Sequence, residues 1–237
     1  MHAVVIGGTR GLGRVVTNKF LSRGINVTTV SRGAPTSDHV SVDLEDTEKL
    51  YDVPMVACRG YGPISYLVFC QRYRGLGDAW DGEINVGLSA TRQLIEGFAD
   101  HFVPSGDRSI VVVGSVYADK VGSSQPVGYH VVKAGQNAMV RYYAYTLGRQ
   151  GIRVNSVTPM TFQKPETRAY FEADERLGSF YEQLVPMRRM GTADDSANAI
   201  SFLCSEQASF INGQSILIDG GVSAIWPEET AKTFSKR

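Results

Sequence analysis

Residues 3–13 read AVVIGGTRGLG. The apolar run over residues 3–6 predicts a short buried strand, and apolar residues at helical spacing from Leu12 onward predict a helix directly after it. A glycine-rich string says something about a ligand only in this setting, between a strand and a helix. The stretch therefore predicts an α/β fold that begins with a strand, a tight turn and a helix.

Three glycines of this stretch have separate tasks. Gly7 allows the tight turn, Gly11 lets the backbone approach a pyrophosphate, and Gly13 lets the helix pack closely on the sheet. The first turn of the helix offers free N–H groups and the positive end of the helix dipole to an anion. We therefore expect a dinucleotide at this loop; the alternative is a strand-to-helix turn without a ligand. The loop residues assigned to the cofactor are Gly7, Thr9, Arg10, Gly11, Leu12 and Gly13.

Strand-like and helix-like segments alternate along the rest of the chain. Continuous apolar runs at residues 66–70 and 109–113 are typical of strands buried on both faces of a parallel sheet. We therefore predict one Rossmann-type, doubly wound parallel sheet of about seven strands with helices on both faces. The other predicted strands are 26–30, 40–42, 152–157 and 215–218, and the longer helices are 80–102, 128–149 and 194–204.

The bulk composition excludes several classes of protein. The chain has 237 residues, 43% of them hydrophobic, with 24 basic and 24 acidic residues. This suits one domain over residues 1–237, and the balanced charge predicts neither nucleic acid nor a membrane surface as a partner. Without a signal peptide or a run of roughly twenty apolar residues, a cytoplasmic protein is expected. Three scattered cysteines predict free thiols and no metal site: Cys58, Cys70 and Cys204.

The second predicted strand ends at Ser31 and is followed by Arg32. This position faces the adenosine ribose of a bound dinucleotide, where an acidic residue would favour NAD. A hydroxyl and two guanidiniums, those of Arg32 and Arg10, instead suit a 2′-phosphate and predict NADP(H), unless Arg32 is simply solvated. After the third strand, Asp43 and Leu44 are assigned to the adenine, and a turn aspartate is the alternative.

Tyr129 and Lys133 are four residues apart and therefore share one face of a helix. A lysine ammonium stabilises a tyrosinate, which makes the phenol a better proton donor. Ser115 lies fourteen residues before Tyr129, at the end of a predicted strand, where its hydroxyl can hold a carbonyl or alcohol oxygen. The trio predicts a proton-transfer site.

With these pieces in order, the chain resembles the classical short-chain dehydrogenases/reductases, closest to the 3-ketoacyl-carrier-protein-reductase-like branch. The resemblance covers essentially the whole chain and rests on the glycine loop, Gly114-Ser115, the Tyr129–Lys133 spacing, residues 152–159 and residues 189–221. It implies that Tyr129 is the general acid in reduction and the base in oxidation, and that Lys133 holds the nicotinamide ribose hydroxyls. Ser115 would then orient and polarise the substrate oxygen.

The resemblance also implies two further cofactor segments. Residues after the fourth strand, Cys70 and Gln71, would line the cofactor, and residues at the end of the sixth strand would border the nicotinamide. The latter are Pro159, Met160 and Thr161.

The chain departs from the family pattern in the cofactor segment and in the proton relay. The family's Asn-Asn-Ala-Gly is replaced by residues 69–72, Phe-Cys-Gln-Arg, which are bulkier and positive. A family asparagine that holds a relay water has no clear counterpart: ungapped counting places Gly87 there, and Asn85 would need a local bulge to serve. Met160 stands where the family has glycine.

Two features bear on the substrate. Residues 161–190 form the least regular region, rich in charge and aromatic side chains, and are expected to be a lid or else an ordinary pair of surface helices. Arg72 and Arg74, near the carboxyl edge of the sheet, indicate an anionic or sugar-linked substrate, with solvated surface arginines as the equal alternative.

Together these observations predict an NADP(H)-dependent oxidoreductase that transfers a hydride between nicotinamide and a carbonyl or secondary alcohol. The alternative is a catalytically weak NADP(H)-binding sensor or scaffold, which the altered residues 69–72 would suit. The family further implies a homodimer or homotetramer. Tyr142, Tyr143 and Tyr145 would fit its interface, or would pack within the monomer.

Overall fold

Seven parallel strands form the central sheet of the computed structural model, which describes residues 1–34, 36–77 and 79–235. The strands of the structure are β1 (His2–Ile6), β2 (Asn26–Ser31), β3 (His39–Ser41), β4 (Tyr66–Phe69), β5 (Ser109–Val113), β6 (Arg153–Pro159), β7 (Phe162–Gln163), β8 (Gly191–Thr192) and β9 (Ser215–Ile218). The order in the central sheet is β3-β2-β1-β4-β5-β6-β9, and β7 and β8 form a separate two-stranded pair. This order confirms the predicted doubly wound sheet, with its switch point between β1 and β4.

Helices cover both faces of the sheet. They are α1 (Gly11–Ser22), α2 (Val53–Cys58), α3 (Ala79–Ile84), α4 (Ala90–Phe98), α5 (Val127–Gly148), α6 (Arg168–Ala173), α7 (Glu175–Leu184), α8 (Ala193–Leu203) and α9 (Pro227–Ser235). One core cluster joins residues of α2, α4 and α5 to one face, and a second joins residues of α1 and α8 to the other. None of the helices in the described part of the chain has the length and apolarity to cross a membrane.

The apolar strands supply side chains to both clusters because successive residues of a strand point to opposite faces. In β1, Val4 and Ile6 belong to one cluster, whereas Ala3 and Val5 belong to the other. All residues of β1 and β4 are buried. Continuous apolar runs are therefore required here, as the sequence indicated.

The predicted helix over residues 80–102 is interrupted. A π-helical turn, Asn85–Ser89, lies between α3 and α4 and shifts the register of the helix around Gly87. Residues 161–190 contain β7, α6 and α7, and β7 pairs with β8 just after this region, so two surface helices are present in it. The short helix α2 was not predicted at all.

The C-terminal segment, whose order the sequence did not indicate, forms α9. The Lys232 ammonium pairs with the carboxylates of Glu228 and Glu229, at 3.2 and 2.7 Å, one turn earlier on the same helix. Phe234 stacks on Phe180 of α7 with ring centres 5.6 Å apart. This segment therefore packs on the region that was predicted to be a lid.

Candidate active site

The glycine loop is held between the ends of β2 and β4. Gly7 has a φ of +75°, and a Cβ atom there would lie 2.9 Å from the backbone nitrogen of Gln71. A Cβ on Gly13 would lie 2.1 Å from the carbonyl oxygen of Gly7, so neither position accepts a side chain. The Gly7 N–H donates to the Val30 carbonyl at 2.7 Å. Backbone packing thus requires the tight turn that the sequence predicted.

The amino end of α1 holds a carboxylate. The N–H of Gly11, whose φ is +51°, donates to Glu166 Oε1 at 3.1 Å, and the Arg14 guanidinium lies 3.1 Å from the same oxygen. The hydrogen bond from Gly11 is the main reason why the pKa of Glu166 is lower than usual. The site therefore accepts an anion, and its donors fit the pyrophosphate of a dinucleotide. Leu12, next in the loop, is buried in the core.

The glycine loop meets the end of β2 through two hydroxyls. Thr9 Oγ1 and Ser31 Oγ are 3.1 Å apart, and the Gly33 N–H donates to Ser31 Oγ at 3.3 Å. This contact brings Arg10 and Arg32, the sequence neighbours of the two hydroxyl residues, to the same edge of the fold. Both arginines are exposed, and within the described residues neither is paired with a carboxylate. The position fits a phosphate on the adenosine ribose.

Asp43 and Leu44, assigned to the adenine, differ in their surroundings. Asp43 is exposed, and its Oδ1 accepts a hydrogen bond from the Glu45 N–H at 3.1 Å, so it stabilises its own turn. Leu44 is buried in the core. The turn alternative is thus realised, and an adenine contact of Asp43 stays a prediction.

Residues at the end of β6 lie near the same edge of the sheet. Pro159 is the last residue of β6 and is buried. Met160 is half-buried, and its N–H donates to the Ile218 carbonyl of β9 at 3.1 Å. Thr161 is exposed. Their contact with a nicotinamide stays a prediction.

Ser115, Tyr129 and Lys133 are all buried at the carboxyl end of β5. Ser115 follows β5 by two residues, and its Oγ accepts a hydrogen bond from the Tyr117 N–H at 3.2 Å. The Lys133 ammonium donates to the carbonyl of Val113, the last residue of β5, at 2.7 Å. Its nitrogen lies 5.5 Å from the centre of the Tyr129 ring. The lysine therefore fastens α5 to β5 and stands beside the phenol, as the spacing predicted.

Burial dominates the electrostatics of Lys133. It lowers the pKa of the ammonium from 10.5 to about 8; the nearby Glu83 opposes this shift, and Arg72 adds to it. An ammonium with this pKa still carries its charge at neutral pH, yet releases a proton more readily than a solvated lysine. That behaviour suits a group that stabilises an anion next to it.

Arg72 covers the face of Tyr129. Its guanidinium carbon lies 4.5 Å from the ring centre, its Nε lies 3.9 Å from Glu83 Oε1, and it donates to Gln125. Glu83 is buried, and burial raises the pKa of this carboxyl. The sequence placed Arg72 near the sheet edge but not on the tyrosine. Arg74 is exposed.

Cys70 and Gln71 follow β4, where the family lines the cofactor. The Cys70 N–H donates to the Ile6 carbonyl at 2.8 Å, and burial raises the pKa of its thiol to about 12, so the thiol is neutral. The Gln71 amide donates to Thr91 Oγ1 at 2.8 Å and to the Val86 carbonyl at 3.4 Å. The Gln71 side chain thus bonds to the π turn and α4, and its backbone forms the wall behind Gly7.

Ungapped counting aligns the family's relay asparagine with Gly87, which has only its backbone to offer at this position. A local bulge exists, because Asn85 and Gly87 both lie in the π turn. The Gly87 carbonyl accepts hydrogen bonds from Gln136 Nε2 at 2.9 Å and from Thr91 Oγ1 at 2.8 Å. Gln136 Oε1 in turn accepts from the Lys133 ammonium at 2.9 Å. Gln136 was missed, although its place three residues after Lys133 puts both on one helix face.

Comparison with known proteins relates the chain to oxidoreductases. A family model described as enoyl-(acyl carrier protein) reductase matches residues 74–223, which include Ser115, Tyr129 and Lys133. The (3R)-3-hydroxyacyl-CoA dehydrogenase of Canis lupus familiaris is 31% identical over 184 residues, 76% of this chain and 67% of that protein. The 3-oxoacyl-[acyl-carrier-protein] reductase of Salmonella typhimurium is 27% identical over 240 residues, 93% of this chain and 96% of that protein.

Solved structures show the same architecture. The ligand-free aldohexose dehydrogenase of Thermoplasma acidophilum superposes with a TM-score of 0.83 at 26% identity, and the match covers 95% of each chain. The similarity therefore extends over nearly the whole sheet and both helical layers.

Proposed function

The chain belongs to the classical short-chain dehydrogenase/reductase family, and from that premise we propose that it transfers a hydride between NADP(H) and a carbonyl or secondary alcohol. It is an oxidoreductase of a family that uses nicotinamide cofactors. The observation that carries the finer proposal is the buried group at the end of β5, in which the Lys133 ammonium lies beside Tyr129 and donates to the carbonyl of Val113, two residues before the buried Ser115.

The proton step is assigned to the chain's own side chains. During reduction, the Tyr129 hydroxyl donates its proton to the substrate oxygen, and during oxidation the tyrosinate accepts it. The Lys133 ammonium stabilises that tyrosinate. Ser115 Oγ already accepts from the Tyr117 N–H, so its own hydrogen is free to hold the substrate oxygen. Bound NADP(H) would supply or accept the hydride at the substrate carbon that carries this oxygen.

The preference for NADP(H) rests on the end of β2. No carboxylate follows β2, where a 2′-hydroxyl would require one, and Ser31 and Arg32 stand there instead. Arg10 lies at the same edge because Thr9 bonds to Ser31. Two exposed guanidiniums favour a ligand with an extra phosphate.

Arg72 supports a substrate with an anionic or sugar group beside the reacting carbonyl. Its guanidinium covers the Tyr129 ring at 4.5 Å, so a substrate oxygen on Tyr129 would place neighbouring groups within its reach. Glu83 neutralises the guanidinium only in part, at 3.9 Å. The names of the relatives include two acyl substrates and one aldohexose, so they are compatible with either an anionic group or a sugar group beside the reacting carbonyl.

We further propose that residues 1–237 act as one unit and that α6 and α7, within residues 161–190, form the substrate lid. Glu166 in this region already reaches Gly11 of the cofactor loop at 3.1 Å, which supports movement of the segment when the site fills. A homodimer or homotetramer is the proposed assembly.

The test is turnover by purified protein with NADPH or NADH and a panel of keto acids, keto esters and aldoses. We expect Tyr129→Phe to lower kcat by about 10²- to 10⁴-fold, because it removes the proton donor, while NADPH affinity stays nearly unchanged. Tyr142→Phe, an exposed position on the same helix, is the matched control and should keep wild-type turnover. Normal turnover in Tyr129→Phe would rule out this assignment.

A sensor or scaffold that binds NADP(H) with little catalysis is the second candidate. It is favoured by the contacts of Arg72 with Glu83 and Gln125, which hold a large side chain over the tyrosine face. A protein that binds NADPH tightly but oxidises it with no member of the panel would support this candidate and exclude the reductase.

A further inference from the structure

We propose that Gln136 is a positioning residue for Lys133, and that its amide joins the lysine ammonium to the Gly87 carbonyl across the gap that a relay water would fill. The inference rests on the proposed proton chemistry of Tyr129 and Lys133. It concerns how the lysine is held and from which side it exchanges its proton.

The connection is continuous from the ammonium to the π turn. Lys133 Nζ donates to the Val113 carbonyl at 2.7 Å and to Gln136 Oε1 at 2.9 Å. Gln136 Nε2 donates to the Gly87 carbonyl at 2.9 Å. Two of the three ammonium hydrogens are thereby used, and the third remains for a ligand or the tyrosine side. Gln136 is 2% exposed, so its amide is fixed by these bonds.

A side chain at Gly87 would collide with its neighbour, and the Gly87 carbonyl is already bonded. A Cβ atom at Gly87 would lie 2.3 Å from Val132 Cγ1, so any side chain there requires Val132 to rotate or the helices to separate. The carbonyl has two lone pairs, and they accept from Gln136 Nε2 and from Thr91 Oγ1 at 2.8 Å. Water therefore has no acceptor at this point.

Replacement of a water by an amide changes what the connection can do. Water passes a proton on by exchanging one hydrogen bond for another, whereas a fixed carboxamide acts as a neutral acceptor that favours the charged lysine. The other groups facing the ammonium are Glu83 from α3, Arg72 and Cys70 from the segment after β4, and Tyr129 from α5. Reprotonation of the centre must then proceed from the tyrosine and substrate side.

The experiment measures the titration of Lys133 directly by NMR of [ε-¹³C]lysine-labelled protein, with the signal assigned by Lys133→Met. Gln136→Leu removes the neutral acceptor and should lower the midpoint by roughly one pH unit, whereas Gln136→Glu supplies an anionic acceptor and should raise it by at least as much. The upper pH limit of kcat for reduction should move in the same two directions. Asn137→Leu removes a neighbouring buried amide that bonds to Ser156 and Ser215, and should leave the midpoint in place.

A merely structural role would not move the lysine midpoint in opposite directions. An unchanged midpoint in folded Gln136→Leu, or in Gln136→Glu if the leucine variant does not fold, overturns the inference. The titration needs no turnover, so it also separates two failures. Opposite shifts in a protein that reduces no carbonyl would retain Gln136 as the positioning residue and reject the proposed function.

Discussion

At the scale of single residues, Lys133 carries its charge where burial disfavours one. Lys133 is 5% exposed, and burial lowers the pKa of its ammonium to about 8. Two acceptors, the Val113 carbonyl and Gln136 Oε1, compensate for part of the lost solvation. A cation kept at such a cost is expected where an anion must be stabilised, which agrees with a tyrosinate beside it.

This cost predicts a pH-dependent stability. Because folding lowers the pKa of Lys133 from 10.5 to about 8, the unfolded chain binds more protons than the folded one between these pH values. The stability contributed by this residue therefore rises with pH across that window, by about 3 kcal/mol in all. Urea unfolding of wild type and Lys133→Met at several pH values should show that the free energy of unfolding of the wild type increases relative to that of the variant as the pH rises above 8. A constant difference would contradict the buried charge.

The two arginines near β2 predict cofactor selectivity. Arg10→Ala and Arg32→Ala should each weaken NADPH binding by about tenfold, because each removes one charge-assisted contact with the 2′-phosphate. NADH affinity should change little, since that cofactor lacks the phosphate. Fluorescence titration of both cofactors measures the effect, and Arg59→Ala, an exposed arginine next to α2, is the control. If the variants lose affinity for NADPH and for NADH by the same factor, the arginines do not bind the 2′-phosphate.

At the scale of secondary-structure elements, the first turn of α1 is the place where the proposed cofactor and the Glu166 carboxylate would compete. The Glu166 carboxylate accepts from the Gly11 N–H at 3.1 Å and lies 3.1 Å from the Arg14 guanidinium, so it occupies donors that a pyrophosphate would use. The segment that carries Glu166 also carries α6, which begins two residues later at Arg168. Binding of the proposed cofactor would therefore displace this part of the chain.

Glu166→Gln should increase NADPH affinity by about three- to tenfold, because the neutral amide competes less well for the α1 terminus and does not repel phosphate. Isothermal titration calorimetry provides the measurement. The matched control is Glu172→Gln, which removes an exposed carboxylate of α6 that pairs with Arg168 at 2.7 Å. Weaker binding in Glu166→Gln would mean that the carboxylate assists the bound cofactor instead of competing with it.

The elements also show what a sequence can reveal. Strands with unbroken apolar runs, such as β4 and β5, were predicted to within a residue or two, because burial on both faces leaves no polar positions. The π turn at Asn85–Ser89 was foreseen only as a bulge that Asn85 would need. One additional residue in a helical turn leaves no clear periodicity, and Gln136 became visible only when the partner of Gly87 was known.

At the scale of the whole molecule, the two ends of the sheet have different tasks. The amino ends of β5 and β6 are joined by a buried ion pair between Arg153 and Asp107 at 2.8 Å, to which the Tyr66 hydroxyl donates at 3.1 Å. The carboxyl ends carry the glycine loop, Ser115 and the Lys133 contact. A parallel sheet brings its strand ends together at one edge, so residues far apart in the sequence form one site there.

The outer face of α5 bears on the proposed assembly. Tyr143 is buried and its hydroxyl donates to Glu96 at 2.8 Å, so this tyrosine packs within the monomer. Tyr142 and Tyr145 are instead 63% and 66% exposed, and the Arg149 guanidinium lies 4.9 Å from the Tyr145 ring centre. Exposed aromatic residues with a neighbouring arginine are enriched at interfaces between proteins.

A charge placed on this face should disrupt the proposed homodimer or homotetramer. Tyr145→Glu would place a carboxylate, which is costly to desolvate, in an interface that the wild type fills with an aromatic ring, and should weaken assembly by at least about tenfold. Sedimentation velocity over a range of protein concentrations measures the change. Leu21→Glu adds the same charge to α1, on the opposite face of the sheet at a residue 53% exposed, and should leave the mass unchanged. If both variants assemble equally well, the interface does not include Tyr145 and must lie elsewhere, because only a surface that joins two copies would respond differently to these two carboxylates. A wild-type protein that is monomeric at every concentration would exclude the proposed assembly.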